Sequence, residues 1–88
     1  MAEIIDLLKA LGDERRLEII KLLLQKRFCV KALAKRLEIS ESAVSQQLKI
    51  LREAELVRGE KKGYYVHYTV KKEGLKEAAQ YLNMLSKK

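Results

Sequence analysis

The chain has 88 residues, a length that favours one domain with a modest core and is compatible with an oligomer. Hydrophobic residues make up 48% and charged residues 35%, a balance that excludes a disordered chain. Lys and Arg number 19 against 12 Asp and Glu, and the net charge of +7 suits nucleic acid or an anionic membrane, although a Lys-rich soluble surface would also produce it.

The first half of the chain predicts two helices separated by Gly12 and Asp13. Residues 3–11 carry apolar side chains at helical spacing, and Asp13 can cap a second helix over residues 14–26. The buried stripe of that second helix is expected to contain Leu17, Ile20 and Leu24, with part of Ile19 and Leu23.

Two arginines in the first turn of the 14–26 helix are unexpected there. The helix dipole disfavours a cation at this end, so Arg15 and Arg16 could serve another purpose, such as contact with phosphates. Solvated arginines assisted by Glu18 are at least as compatible with the pattern.

A helix-turn-helix is predicted in the middle of the chain. Residues 30–37 form a short amphipathic helix, and residues 38–40 form a tight turn in which Ser40 is a good N-cap. A longer helix follows over residues 41–54. Two helices joined by such a turn, the second with a polar outer side, are typical of DNA-reading proteins.

The outer side of the 41–54 helix has a composition suited to base edges. At about 100° per residue, the core stripe contains Val44, Leu48 and Leu51, with Ala43 and Gln47 at its edge. The opposite side carries Ser42, Ser45, Gln46, Lys49 and Glu53. Gln can bond adenine at two atoms and Ser fits either kind of base edge. A solvated face is the alternative, but such faces are usually rich in Glu and Lys.

Residues 56–70 predict a β-hairpin, the wing of a winged helix. Gly63 supplies the turn, and the residues after it alternate, with Tyr64, Val66, Tyr68 and Val70 on one face and Tyr65, His67 and Thr69 on the other. The tip carries Lys61 and Lys62, with Arg58 nearby, so the wing is placed to grip the DNA backbone or minor groove.

A last helix is predicted over residues 72–86. Its apolar stripe contains Leu75, Ala78, Ala79, Leu82 and Leu85, flanked by Tyr81 and Met84. Such a stripe can cover its own core or pair with a second copy, and we favour a homodimer through the first and last helices. The fold class expected over residues 1–88 is mainly α with a small β-hairpin: one winged helix-turn-helix domain with about five helices and a two-stranded wing.

These residues resemble the ArsR-type winged-helix repressors. The matching stretches are LKALGDERRLEIIKLL (8–23), ALAKRLEISESAVSQQLKILREAELV (32–57) and KGYYVHYTV (62–70). The resemblance implies a homodimer that binds a palindromic operator, blocks transcription and releases DNA on a signal. By matching position it implies base-facing Ser42, Ser45, Gln46 and Gln47, with Lys49 close to phosphate and Arg58, Lys61 and Lys62 on the wing.

The chain departs from the family pattern in its backbone signals and its metal ligands. Family members often have Gly where this chain has Glu55, so a non-Gly residue is expected in a left-handed cap at a cost of about 1 kcal/mol; they also often have Pro in place of Glu14. The family's metal-binding thiolate pair is a Cys-x-Cys at the start of the third helix, and this chain has Cys29 and Lys31 at those positions. The family's other common metal site draws Asp and His from the last helix, which here contains neither. Soft-metal sites need two or more thiolates or imidazoles, so we expect no metal and no cofactor. Cys29 would then be a small core residue or, alternatively, a redox-sensitive thiol.

No membrane or secreted location is expected. No apolar stretch approaches the roughly 18 residues of a membrane span, the N-terminus lacks a signal-peptide pattern, and one cysteine fits a reducing cytoplasm.

The leading hypothesis is a dimeric, sequence-specific transcriptional regulator, most simply a repressor, with double-stranded DNA as its partner. The alternatives are a non-specific architectural nucleic-acid binder and a winged helix that pairs with a protein and no longer reads DNA. An enzyme is disfavoured, because the sequence shows no nucleophile–base pattern and no Gly-rich phosphate loop.

Overall fold

A computed structural model describes residues 2–88, which fold into five helices and three strands. They are α1 (Ile4–Leu11), α2 (Glu14–Gln25), β1 (Phe28–Cys29), α3 (Val30–Leu37), α4 (Glu41–Glu53), β2 (Val57–Lys62), β3 (Tyr65–Val70) and α5 (Lys72–Ser86). The predicted winged helix-turn-helix is confirmed, and each observed helix limit lies within one residue of the predicted one.

The sheet differs from the expected two-stranded wing, because β1 adds a third strand. The strand order is β1-β3-β2 with antiparallel pairing, and Phe28 lies opposite Tyr68 while Cys29 lies opposite His67. The β1 strand was not predicted, because two residues carry no alternation that could indicate a strand. Its pairing anchors the wing to the start of α3.

The turn of the wing needs the conformational freedom of glycine. Lys62 pairs with Tyr65, so the loop consists of Gly63 and Tyr64, and Gly63 has φ +64°. A two-residue hairpin loop with Gly in the left-handed region at its first position is typical of a type II′ turn. The role of Gly63 is as predicted, whereas Tyr64 lies in the turn instead of on the strand face.

The buried side of α2 was predicted correctly at Ile20, and in part at Ile19 and Leu23, but wrongly at Leu17 and Leu24. Its core residues are Ile19, Ile20 and Leu23, whereas Leu17 and Leu24 are 41% and 47% exposed. Apolar residues cover more than one side of α2, so periodicity alone does not identify the side that packs against α1, α4 and β3.

Both predicted N-caps are present and fix the starts of α2 and α4. The Asp13 carboxylate accepts from the Arg16 backbone N–H at 3.0 Å, and Ser40 Oγ accepts from the Ala43 N–H at 3.0 Å. Each bond satisfies a donor that the first helical turn cannot pair internally. The cap at Ser40 therefore helps to set where the exposed side of α4 begins.

The expected left-handed residue after α4 is confirmed at Glu55, which has φ 59°; Glu38, after α3, has φ 57° and was not anticipated. The Glu55 carboxylate accepts a hydrogen bond from the Ala2 N–H and lies 3.7 Å from Lys71 Nζ. The bond from Ala2, aided by the charge of Lys71, lowers the pKa of Glu55 below its ordinary value. These contacts tie the strained corner to α1 and α5.

Gly74 allows α5 to approach the core closely, so we expect Gly74→Ala to destabilise the fold. An added Cβ would lie 2.9 Å from Leu56 Cδ2 and 3.3 Å from Leu7 Cδ2, and both leucines are buried. Overpacking costs about 1–3 kcal/mol, which exceeds the gain of up to about 1 kcal/mol from replacing a helical glycine. Thermal unfolding should show a lower midpoint, and an unchanged or higher midpoint would contradict this packing.

Candidate nucleic-acid interface

The buried residues of α4 determine which of its side chains face outward. Val44, Leu48 and Leu51 are at most 1% exposed, so the rotation of the helix about its axis is fixed. The side chains exposed on the far side are those of Ser42, Ser45, Gln46 and Lys49, followed in the last turn by Glu53. We call the first four of these residues the reading face. They offer hydroxyl, amide and ammonium groups, the groups that bond base edges and phosphates in a major groove.

The structure does not bring Gln47 together with the reading face. Gln47 is half-buried, and its Oε1 accepts a hydrogen bond from Arg16 Nη1 at 2.9 Å. On a helix it lies about 100° from Gln46, on the side that faces α2. Through this bond Gln47 helps to hold α4 against α2.

Both arginines at the start of α2 donate to other elements, a role that neither explanation drawn from the sequence included. Arg15 Nη1 donates to the Leu37 carbonyl at 3.3 Å. Arg16 donates to the carbonyls of Lys9 and Ala10 as well as to Gln47. The dipole penalty at the start of α2 is thus offset by bonds to other elements, which a search for local pattern cannot reveal.

The two wing lysines lie on opposite faces of the hairpin. Lys61 is paired with Val66 and Lys62 with Tyr65, and neighbouring residues of a strand point to opposite sides. Lys62 shares its face with Glu60, and their charged atoms, Nζ and Oε1, are 3.5 Å apart. Lys61 has no such acidic neighbour among the ion pairs of residues 2–88. The cationic field at the tip therefore depends more on Lys61 than the sequence suggested.

An open groove separates the wing from the N-terminal ends of α3 and α4. Lys31 and Glu41 lie on its helical side, and Tyr64, Tyr65 and Val66 on its wing side. Lys61 shares the face of Val66 and Lys62 shares that of Tyr65, so both faces of the hairpin border this groove. Lys31 and the 99% exposed Tyr64 are additions to the surface that sequence reasoning did not select.

Arg58 lies at the base of the wing, opposite Thr69. Lys71 and Lys72 line the same surface depression as Arg58, so the base of the wing carries three basic residues. The consecutive lysines after β3 were visible in the sequence, but only the return of β3 alongside β2 places them beside Arg58. Basic groups consequently occur at both ends of the hairpin.

Cys29 and His67 face each other across β1 and β3, and the buried His67 Nδ1 has no hydrogen-bond partner within the described residues. The pairing of β1 with β3 thus brings the one Cys and the one His of the sequence together. One thiol and one imidazole do not make a metal site, and no group of three or more His, Cys, Asp or Glu in residues 2–88 is arranged to hold a metal ion. The residues present do not fit the family's soft-metal sites.

The α3–turn–α4 pair, its polar second helix and the adjoining basic hairpin define the winged helix-turn-helix class of DNA-binding proteins. The family model of bacterial regulatory proteins of the arsR family matches residues 13–58. A transcriptional activator from Vibrio cholerae, HlyU, is 40% identical over 84 residues, which cover 96% of this chain and 78% of that protein. The arsenical resistance operon repressor of Bacillus subtilis is 41% identical over 66 residues, or 74% and 63% of the two chains.

The fold is also similar to that of a homodimeric winged helix-turn-helix DNA-binding domain from Mycobacterium bovis. The TM-score is 0.79 at 25% identity, with 94% of this chain and 78% of the other covered. The chain belongs to the arsR family of bacterial regulatory proteins. It is a DNA-binding transcriptional regulator and not an enzyme. Within residues 2–88, no helix has both the length and the apolar character needed to cross a membrane.

Proposed function

We propose that two copies of this chain form a cytoplasmic homodimer that reads an inverted-repeat operator. The reading face of each α4 enters a major groove, and the two half-sites lie about one helical turn, roughly 34 Å, apart. Arg58 and Lys61 contact the backbone or minor groove beside each half-site, and Lys62 adds a weaker contact. The observation that carries this proposal is the polar, fully presented reading face at the capped start of α4.

The apolar stripe of α5 supports pairing through α1 and α5. Gly74 and Ala78 in the first half of α5 are buried against their own chain, whereas Leu82 and Leu85 of the stripe are 52% and 47% exposed. Met84 and, on the neighbouring α1, Ile5 are also about half exposed. A stripe that continues past its own core needs a second apolar surface, and another copy supplies the same surface about a two-fold axis. The homodimeric domain from M. bovis has the same fold.

We propose repression as the consequence of operator binding. Occupancy of two successive major grooves blocks access of polymerase and needs no protein surface beyond the DNA interface and the dimer interface. Activation would need a further surface for contact with the transcription machinery. Relatives of both kinds exist, since the V. cholerae protein is named an activator and the B. subtilis protein a repressor.

Selection of bound fragments from randomised duplex DNA at physiological salt tests the proposal. We expect enrichment of an inverted repeat with half-site centres about 10 base pairs apart. Binding without enrichment would favour an architectural nucleic-acid binder. Absence of binding would favour a winged helix that recognises a protein partner.

Glu60→Gln is expected to raise affinity for DNA of any sequence. The substitution removes a negative charge from the wing and releases Lys62 from the ion pair with Glu60. The pair is exposed and contributes roughly 0–1 kcal/mol to stability, so the fold should tolerate its loss. Binding of operator and mixed-sequence DNA should tighten by a similar factor of a few. Tightening confined to the operator would show that Glu60 takes part in sequence reading.

A further inference from the structure

The side chain of Arg16 joins three helices through one guanidinium group. Its Nε donates to the Ala10 carbonyl at 2.6 Å and its Nη2 to the Lys9 carbonyl at 3.3 Å, both at the C-terminal end of α1. Its Nη1 donates to Gln47 Oε1 on α4 at 2.9 Å. Since Arg16 belongs to the first turn of α2, one planar group connects α1, α2 and α4.

These contacts suit a guanidinium group, whose three nitrogens donate here to three separate acceptors. The last carbonyls of a helix lack partners within that helix, and a cation is favoured at that end of the helix dipole. Of the two carbonyls that Arg16 bonds, that of Lys9 also accepts from the Gly12 N–H at 3.3 Å. A guanidinium presents its N–H groups in a rigid planar fork, so several acceptors are held at fixed angles. Only 15% of the Arg16 side chain is exposed, which limits competition from water. Asp13 Oδ2, 4.0 Å from Nη1, contributes a weaker attraction.

The position of the contact on α4 makes it relevant to DNA reading. Gln47 directly follows Gln46 of the reading face and precedes the buried Leu48. On the outer side, an open groove lined by Lys9 of α1 and Ile50 and Glu53 of α4 lies between the two helices. Arg16 also lines this groove, so its side chain spans a gap that apolar packing does not fill.

We propose that Arg16 is a positioning residue that sets the orientation of α4 relative to α1 through Gln47. The inference rests on the proposed function, in which α1 helps to hold the two copies together and α4 reads the operator. The Arg16–Gln47 contact then links the dimer interface to the reading face. It fixes the distance and angle between the two reading helices and therefore the half-site spacing that the dimer accepts.

The test uses Arg16→Lys in the full chain, with Arg15→Lys as the matched control. Lysine keeps the charge but carries one ammonium point charge instead of a planar fork. Affinity is measured for the selected operator, for operators with one base pair added to or removed from the spacer, and for mixed-sequence DNA of equal length. Thermal unfolding and sedimentation of each variant report folding and dimerisation separately.

For Arg16→Lys we expect affinity for the operator of native spacing to fall about tenfold, equivalent to about 1.4 kcal/mol. Affinity for operators of altered spacing and for mixed-sequence DNA should fall less. The control should keep the wild-type preference for spacing. The double variant Arg16→Lys/Gln47→Ala should lose no more operator affinity than either single variant, because each substitution breaks the same link between α1 and α4. Additive losses would show that Gln47 contacts DNA independently and would overturn the proposal.

A uniform loss on all DNA, or unchanged spacing preference in folded, dimeric Arg16→Lys, would also overturn the proposal. The failure of the proposed function would look different, since the wild-type chain would then select no inverted repeat. If Arg16→Lys does not fold, Gln47→Ala alone, which leaves the bonds from Arg16 to α1 intact, must show the changed spacing preference; if it does not, the proposal is wrong.

Discussion

Leu82→Glu is expected to convert the dimer into a folded monomer and to lower operator affinity by roughly 10²- to 10⁴-fold, the usual gain from linking two binding events. Leu82 lies on the apolar stripe of α5 and is half exposed in the single chain, so its substitution should not disturb the chain's own core. In the dimer the carboxylate would be buried against an apolar surface without a partner, which is strongly unfavourable.

Leu24→Glu is the matched control for this substitution. Leu24 is exposed to a similar extent, 47% against 52%, but lies on α2, outside the proposed interface. Sedimentation and thermal unfolding should show a folded dimer for Leu24→Glu and a folded monomer for Leu82→Glu. A Leu82→Glu variant that remains dimeric would show that the copies pair through another surface.

Gln46→Ala and Lys61→Ala are expected to weaken binding in two different ways. Gln46 is on the reading face, where a bidentate amide–adenine pair contributes about 1–3 kcal/mol of discrimination against the wrong base. Its removal should lower operator affinity and leave affinity for mixed-sequence DNA almost unchanged. Both half-sites lose the contact, so the effect on the dimer is about twice that on one site.

Lys61 acts through charge and should not distinguish sequences. Its removal should weaken binding to operator and to mixed-sequence DNA by similar factors. The number of counterions released on binding, measured from the salt dependence of the affinity, should fall by about one for each copy. Lys62→Ala is the matched comparison, with the same charge change on the opposite face of the hairpin. Because Glu60 already offsets the charge of Lys62, the loss should be smaller than for Lys61→Ala.

Equilibrium titrations at several salt concentrations separate these effects. Equal, sequence-independent losses for Gln46→Ala and Lys61→Ala would contradict the division between a reading face and a gripping wing. A larger loss for Lys62→Ala than for Lys61→Ala would indicate that DNA approaches the other face of the hairpin.

The helices and their order were predictable because their signals are local. The caps at Asp13 and Ser40, the 3.6-residue spacing around Val44 and the glycine at position 63 each depend on a few neighbouring residues. The stripe that buries Val44, Leu48 and Leu51 also predicted which side of α4 faces outward. Most of the candidate site therefore followed from the sequence.

The features that were missed depend on contacts between distant residues. Phe28 and Cys29 become a strand only because β3 returns beside them, and this pairing brings His67 opposite Cys29. The partners of Arg16 come from α1 and α4, so the sequence of α2 alone gives no reason to distinguish Arg16 from Arg15. Gln47 was predicted to face bases by matching position in the family, and its place at the edge of the core stripe agrees with the half-buried side chain observed.

The most direct test of the central claim is the affinity of the dimer for its selected operator after insertion of about five base pairs between the half-sites, half a helical turn. A dimer with both reading faces in successive major grooves on one side of the DNA cannot then engage both half-sites. We predict that affinity falls to that of a single half-site and that insertion of about ten base pairs does not restore it, since the reading helices are held at a fixed distance. Unchanged affinity after the five-base-pair insertion would contradict the account.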